Sequence, residues 1–294
     1  MLKIALLAYD NCQLSGLAGL LDLFALANWE WRRLQPKSTE PFCRCEVVTR
    51  SGEPVTSFSR QPILPKSALA DCGDLDLVLL PGIVGRLEPL LEDSFVCDWI
   101  RRQHCGGAVV ASACSGTFLL AETGLLNGRR ATTHWQRADR FRQRYPKVKL
   151  DIDRLLIDGG DYCFAGGTSA HFDLGLLLLE RFGSPALAGA CARMMLLEQG
   201  RTDQGPYLRF RGDKKHTDRP VLKVQKWLDD NYRGNVVVKQ LAELSGLNER
   251  TFLRRFKKAT GESPLEYVQR MRIEQAKQLL SGSDQSLQQI TRAV

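Results

Sequence analysis

Residues 108–116 read Ala108-Val109-Val110-Ala111-Ser112-Ala113-Cys114-Ser115-Gly116. An apolar run leads into small residues, one thiol and a glycine. This is what a strand turning sharply into a helix requires: little bulk at the bend, with Cys114 lifted over the N-terminus of the following helix. The plain alternative is a buried structural cysteine. An elbow predicts a thiol whose pKa is depressed by the helix terminus. It also predicts that backbone N–H groups near Ser115 and in the Pro81-Gly82-Ile83 turn form an anion-binding pocket.

Outward from that stretch, strand and helix signals alternate. Strands are expected over 4–8, 44–49, 75–80, 108–112, 155–157 and 162–165, and helices over 17–31, 95–104, 116–123 and 170–181. Short all-apolar runs such as Leu77-Val78-Leu79-Leu80 suit strands buried on both faces. The reading is an α/β fold: a flavodoxin-like, mostly parallel sheet flanked by helices, occupying residues 1–199. Residues 200–217 are polar and aperiodic and read as a linker. An all-α domain follows over 218–294.

Composition separates the two halves. The chain of 294 residues carries a net charge of +8. Residues 1–208 hold 23 Lys/Arg and 23 Asp/Glu, whereas 209–294 hold 18 against 10, so the whole excess is C-terminal. A neutral domain followed by a basic one points to contact of the second with a polyanion. No apolar run is long enough to cross a bilayer, so no membrane partner is expected. The apolar start lacks a basic lead-in and a small-residue cleavage site and reads as a first buried strand. A cytoplasmic protein with nine reduced cysteines is therefore expected. Cys43 and Cys45 are two apart with no partner pair at ligand spacing, so neither a metal nor a cofactor is expected.

The basic part has helix-turn-helix grammar. Asp218 is placed to cap a helix with Pro220 in its first turn. A short amphipathic helix over 238–245 ends at Gly246, and Asn248 can cap a second helix from 249 to about 260. There Phe252 and Phe256 share one face, and Arg250 and Arg254 share another. Such a helix can enter the major groove of double-stranded DNA. Arg255, Lys257 and Lys258 are placed for phosphates. Ser263-Pro264-Leu265-Glu266 forms a capping box for a long helix. Ser286 starts another, in which Leu287, Ile290 and Ala293 echo Val238, Leu241 and Leu244.

The pattern Gly261-x-Ser263-Pro264-x-x-Tyr267-x-x-x-x-Arg272-x-x-x-Ala276-x-x-Leu279-Leu280, after Ala242-x-x-Ser245-Gly246, strongly resembles the AraC/XylS family of transcriptional regulators. That resemblance implies two helix-turn-helix units joined by a long helix, with base contacts from Arg250, Leu253 and Arg254 and a DNA-binding set that includes Thr251. It also implies that the chain stops before its second recognition helix, as a truncated frame would.

The N-terminal motifs resemble the class I glutamine amidotransferase-like superfamily, more narrowly the PfpI-type sensor domains. They are Leu79-Leu80-Pro81-Gly82, Cys114-Ser115-Gly116, Gly124-Leu125-Leu126-x-Gly128-Arg129-x-Ala131-Thr132-Thr133-His134-Trp135 and Ala165-Gly166-Gly167. The resemblance implies a ligand pocket at Gly82, Ile83, Cys114, Ser115, His134, Gly166 and Gly167. His171, at a helix start, falls to the same cleft, whereas His104 reads as a surface residue and His216 as part of the linker. Catalytic members keep an acid near the first helix, where this chain has Gly16. Protease-like members carry His after the cysteine, where this chain has Ser115. Leu20 stands where a proline is expected. With no acid to share the thiol's proton, Cys114 and His134 read as a vestigial nucleophile and base. The expectation is a non-catalytic regulator, acting as a homodimer on promoter DNA, that senses a small metabolite such as an amine, amino acid or carboxylate. The alternative is a cysteine-dependent hydrolase or hydratase, or a thiol redox sensor, using Cys114.

Overall fold

The computed structural model describes residues 1–204, 214 and 216–294. Of the 200–217 stretch expected to be a linker, residues 205–213 and 215 lie outside the described residues. The chain divides into two compact units, Met1–Tyr207 and Leu208–Val294.

Seven strands form the sheet of the first unit. They are β1 (Leu2–Leu7), β2 (Cys43–Thr49), β3 (Ser67–Ala68), β4 (Leu77–Leu80), β5 (Val109–Ala113), β6 (Leu156–Asp158) and β7 (Tyr162–Ala165). Their order is β6-β7-β5-β4-β1-β2-β3. Every neighbouring pair is parallel except β6 with β7. All residues of β4, β5 and β7 are buried, as sheet centres covered on both faces must be. Among the described residues, its helices of seven residues or more are α1 (Leu14–Leu34), α2 (Ser94–Cys105), α3 (Gly116–Glu122), α4 (Ala138–Arg144), α5 (His171–Phe182) and α6 (Pro185–Met194). From β1 the order runs to β2 on one side and to β4 on the other. The loops leaving β1, β4 and β5 therefore meet at a switch point, where open α/β sheets form crevices.

Gly116 brings α3 up to that point. A Cβ there would stand 2.6 Å from the Pro81 carbonyl oxygen and closer still to that of Leu80. Both neighbours are backbone and cannot swing aside.

The second unit holds α7 (Arg219–Asn231), α8 (Val238–Ser245), α9 (Glu249–Thr260), α10 (Pro264–Gly282) and α11 (Leu287–Ala293). Its core includes Val221, Val224, Leu228, Leu241, Phe252, Phe256 and Tyr267. Phe256 meets Phe252 at 5.5 Å and Tyr267 at 5.4 Å between ring centroids, both edge-on. Gly246 takes φ +71° to end α8. Asn248 caps α9, accepting from the Thr251 N–H at 2.9 Å. Capping boxes open α10 and α11 at Ser263/Glu266 and Ser286/Gln289.

Substituting Gly116→Ala should cost about 1–3 kcal/mol. The measurement is a lowered urea midpoint for the first unit with the second unit's transition unmoved.

Candidate functional site

Strand β5 delivers Cys114 at φ +54°, in the left-handed region that a non-glycine residue occupies only when its surroundings enforce it. They do so from both sides. The Cys114 N–H donates to the Ala165 carbonyl at 2.7 Å. The Cys114 carbonyl accepts from the Thr133 hydroxyl at 2.8 Å and the Thr117 hydroxyl at 3.3 Å. The sequence elbow is present as backbone geometry.

Its expected chemistry differs. Burial raises the Cys114 thiol above its ordinary pKa, although the Ser115 N–H and the Thr168 hydroxyl pull it down. Desolvation outweighs the helix terminus, so the expected depression is corrected to an elevation. Part of the expected anion pocket is spent within the fold. Pro81 has no N–H, the Ile83 N–H donates to Ser115 Oγ at 2.8 Å, and Ser115 Oγ donates back to the Ile83 carbonyl at 2.7 Å. Those groups latch the 81–83 turn to the elbow and are not free for a ligand. No acid stands at position 16, where a Cβ would lie 3.9 Å from Pro81 Cβ and 4.0 Å from His171 Nδ1.

The large cavity of the first unit, about 710 Å³, lies beside the elbow. Of the residues expected to bind a ligand, His134 and Gly167 line it, and so does His171. Gly82, Ile83, Cys114, Ser115 and Gly166 do not. Gln13 and Thr168 intervene. Gln13 Nε2 donates to Ser15 Oγ at 2.7 Å and to the Thr168 carbonyl at 3.2 Å. Gln13 Oε1 stands 3.4 Å from where a Gly82 Cβ would be, and Cys114 Sγ stands 3.5 Å from the same point. Gln13 is thus packed over Gly82. Trp135, Leu155 and Phe172 supply apolar wall. Burial lowers the pKa of both His134 and His171, so both are neutral imidazoles at neutral pH.

Arg201 and Gln204 close the cavity. Sequence reading assigned both to the linker, but residues 201–204 run back along the first unit. The Leu155 N–H donates to the Thr202 carbonyl and the Gln204 N–H to the Asp153 carbonyl, each at 2.7 Å. Arg201 makes a bidentate pair with Asp173, with Nε donating to Oδ1 at 3.0 Å. Gln204 is 2% exposed. Its Nε2 lies 3.1 Å from each of Thr132 Oγ1, the Thr133 carbonyl and the Arg154 carbonyl. Gly166 makes this possible, because a Cβ there would fall on the Gln204 amide. The paired glycines 166–167 were legible as a site of close approach; which residue approaches was not.

In the second unit, α9 presents Arg250, Arg254, Lys257, Lys258 and Leu253 as exposed residues, with Thr251 half-buried. Arg255, expected at phosphates, has a partner within the unit. It donates from both Nε and Nη2 to the Asp218 carboxylate, each at 2.8 Å, and so ties α9 to the cap of α7. This pairing holds the Asp218 carboxyl below its usual pKa.

Because desolvation raises the pKa of the half-buried Cys114 thiol, iodoacetamide labelling mapped by mass spectrometry should modify exposed Cys105 first. Labelling of Cys114 should rise only as pH moves into the alkaline range. Preferential labelling of Cys114 at pH 6–7 would contradict the assignment.

Comparison with known proteins agrees with both units. The DJ-1/PfpI family model matches residues 3–180, and a helix-turn-helix domain model matches residues 241–294. The HTH-type transcriptional regulator CdhR of Pseudomonas aeruginosa is 28% identical over 253 residues, 85% of this chain and 74% of that protein. Isonitrile hydratase of Pseudomonas putida is 32% identical over 180 residues, 61% of this chain and 71% of that protein. In fold, Drosophila melanogaster DJ-1beta superposes with a TM-score of 0.58 at 20% identity, covering 67% of this chain and 98% of that one. No helix among the described residues is long and apolar enough to cross a membrane. The chain belongs to the DJ-1/PfpI family and couples that domain to a C-terminal helix-turn-helix domain of the AraC type.

Proposed function

We propose that this protein is a transcriptional regulator whose DJ-1/PfpI domain binds a small metabolite in the cavity beside the elbow and thereby sets the DNA affinity of the helix-turn-helix unit. The observation that carries this reading is the placement of Arg201 and Gln204. They form part of the cavity wall and belong to the last described stretch of the first unit before the chain continues to the second. A ligand in the cavity touches the start of the connection directly. Its differential affinity for two arrangements of that stretch would shift DNA binding.

A non-catalytic sensor is favoured over a hydrolase or hydratase by three features. The thiol is protonated, position 16 has no acid, and the Ile83 N–H and Ser115 hydroxyl are spent on each other. The similarity to isonitrile hydratase keeps the enzymatic reading as the alternative. On DNA, Arg250, Leu253 and Arg254 are the base-reading set, with Lys257 and Lys258 on phosphates. A homodimer would supply two recognition helices for paired half-sites.

Selection of bound fragments from a random DNA pool by the full chain tests the reading. Enrichment of one sequence is expected, and recovery of an unenriched pool sinks it. On the enriched site, Arg254→Ala should cost about 1–3 kcal/mol. Lys257→Ala should weaken all sequences alike and reduce the salt slope by about 1. Gly166→Ala displaces Gln204 and should abolish the response to effector in a reporter strain while leaving binding to the enriched site intact.

A further inference from the structure

Apolar contact anchors the recognition helix α9 through one face, where Phe252 and Phe256 enter the core of the second unit. At about 100° per residue, Arg250, Leu253 and Arg254 stand on the opposite face, and Arg255 stands on the flank between the two. Packing at one face sets how deep a helix sits. Its rotation about its own axis is set by whatever holds the flank. A bidentate guanidinium–carboxylate pair suits that task, because its two parallel bonds fix direction.

Arg255 meets Asp218 in this way, with Nε and Nη2 each 2.8 Å from a carboxylate oxygen. The two side chains are 36% and 20% exposed. An ion pair so placed contributes at most about 1 kcal/mol to stability, so what it supplies is direction. Asp218 is itself held at both ends. Its carboxylate caps α7, accepting from the Val221 N–H at 3.3 Å. Its backbone N–H donates to His216 Nδ1 at 3.2 Å. Nδ1 therefore lacks the ring proton, and Nε2 carries it and donates to Gln225 Oε1 at 3.0 Å. Buried Gln225 donates from Nε2 to the Tyr267 hydroxyl at 3.1 Å. The Tyr267 ring meets Phe256 of α9 edge-on. His216 thus reaches α9 by two routes, one through Asp218 and Arg255 and one through Gln225 and Tyr267. Two residues earlier, Lys214 pairs with Asp229 of α7. The chain ahead of α7 is fastened to this unit at 214, 216 and 218.

Resting on the regulator reading, we infer that Arg255 and His216 are positioning residues for DNA recognition. Arg255 touches no phosphate. It sets the rotation of α9 that brings the Arg250 and Arg254 forks to base edges, and His216 holds that setting from the chain ahead of α7. Bidentate contact with a base edge depends on alignment. A cation at a phosphate acts mainly through its charge. A displacement at His216 is therefore felt as a loss of sequence discrimination, not as a general loss of DNA affinity.

The test uses the full chain, the duplex it enriches from a random pool and a scrambled duplex of the same length. Arg255→Gln should weaken binding to the enriched duplex about tenfold or more. Binding to the scrambled duplex and the salt slope should stay unchanged. A phosphate contact instead weakens both duplexes alike and lowers the slope by about 1, and a partly unfolded unit also weakens both; either result overturns the inference. Asp218→Asn keeps a capping residue on α7 and removes the ionic pair, so it should reproduce Arg255→Gln. His216→Leu should lose discrimination too. Combined with Arg255→Gln, it should lose no more than the larger single loss, because the two act through one tie. Unchanged discrimination in Asp218→Asn or His216→Leu, or losses that add in the double variant, overturns the inference while the regulator reading stands. If no sequence is enriched, the regulator reading fails and this inference fails with it.

Discussion

The arrangement of the cavity in the first unit depends on one amide. Gln204 enters the space left by Gly166 and places its nitrogen against Thr132, Thr133 and Arg154. The 131–134 stretch also holds the elbow, since the Thr133 hydroxyl donates to the Cys114 carbonyl. Strand β7 holds it from the other side through Ala165. The strained cysteine, the cavity wall and the start of the connection thus share one hydrogen-bond network. Buried networks of this kind act as units. A change in what fills the cavity can therefore be felt at residues 201–204 without large movement of the sheet.

The elbow shows how a motif can keep its geometry while its chemistry changes. The positive φ at Cys114 is retained, and so are the small residues around it. A reactive thiolate, however, needs its charge stabilised more than burial destabilises it. Here the nearby hydroxyl and N–H groups do not outweigh desolvation, and no acid at position 16 shares the proton. The space near that position is occupied by His171, which turns its Nδ1 to Thr168 and leaves Nε2 as an acceptor.

The DNA-binding unit rests on an equally specific tie. Arg255 and Asp218 are 37 residues apart, yet their bidentate pair joins the recognition helix to the cap of α7. Together with the edge-on Phe252, Phe256 and Tyr267 rings, it fixes which face of α9 is free. That face carries Arg250, Leu253 and Arg254. A basic residue one position along, Arg255, is paired within the unit, although residue type and local spacing make it look the same as its neighbours.

What the sequence determined by itself was local and periodic. Apolar runs located the sheet strands. Glycines 246 and 261, Asn248, Ser263 and Ser286 fixed the helix ends, because caps and left-handed stops depend on residues a few positions apart. Helices over 138–144 and 185–194 went unread, although Ser184 followed by Pro185 carried a start signal for the second. The charge imbalance and the 252/256 and 250/254 spacings identified the reader of DNA. Tertiary structure alone decided the rest. Whether Cys114 is acidic depends on burial summed over the whole fold. Whether residues 201–204 are linker or cavity wall depends on a 2.7 Å backbone pairing with residues about fifty positions earlier. Long-range contacts of this kind leave no periodic trace in the chain. Here the trace was one pair of glycines, which marked a close approach without naming what came near.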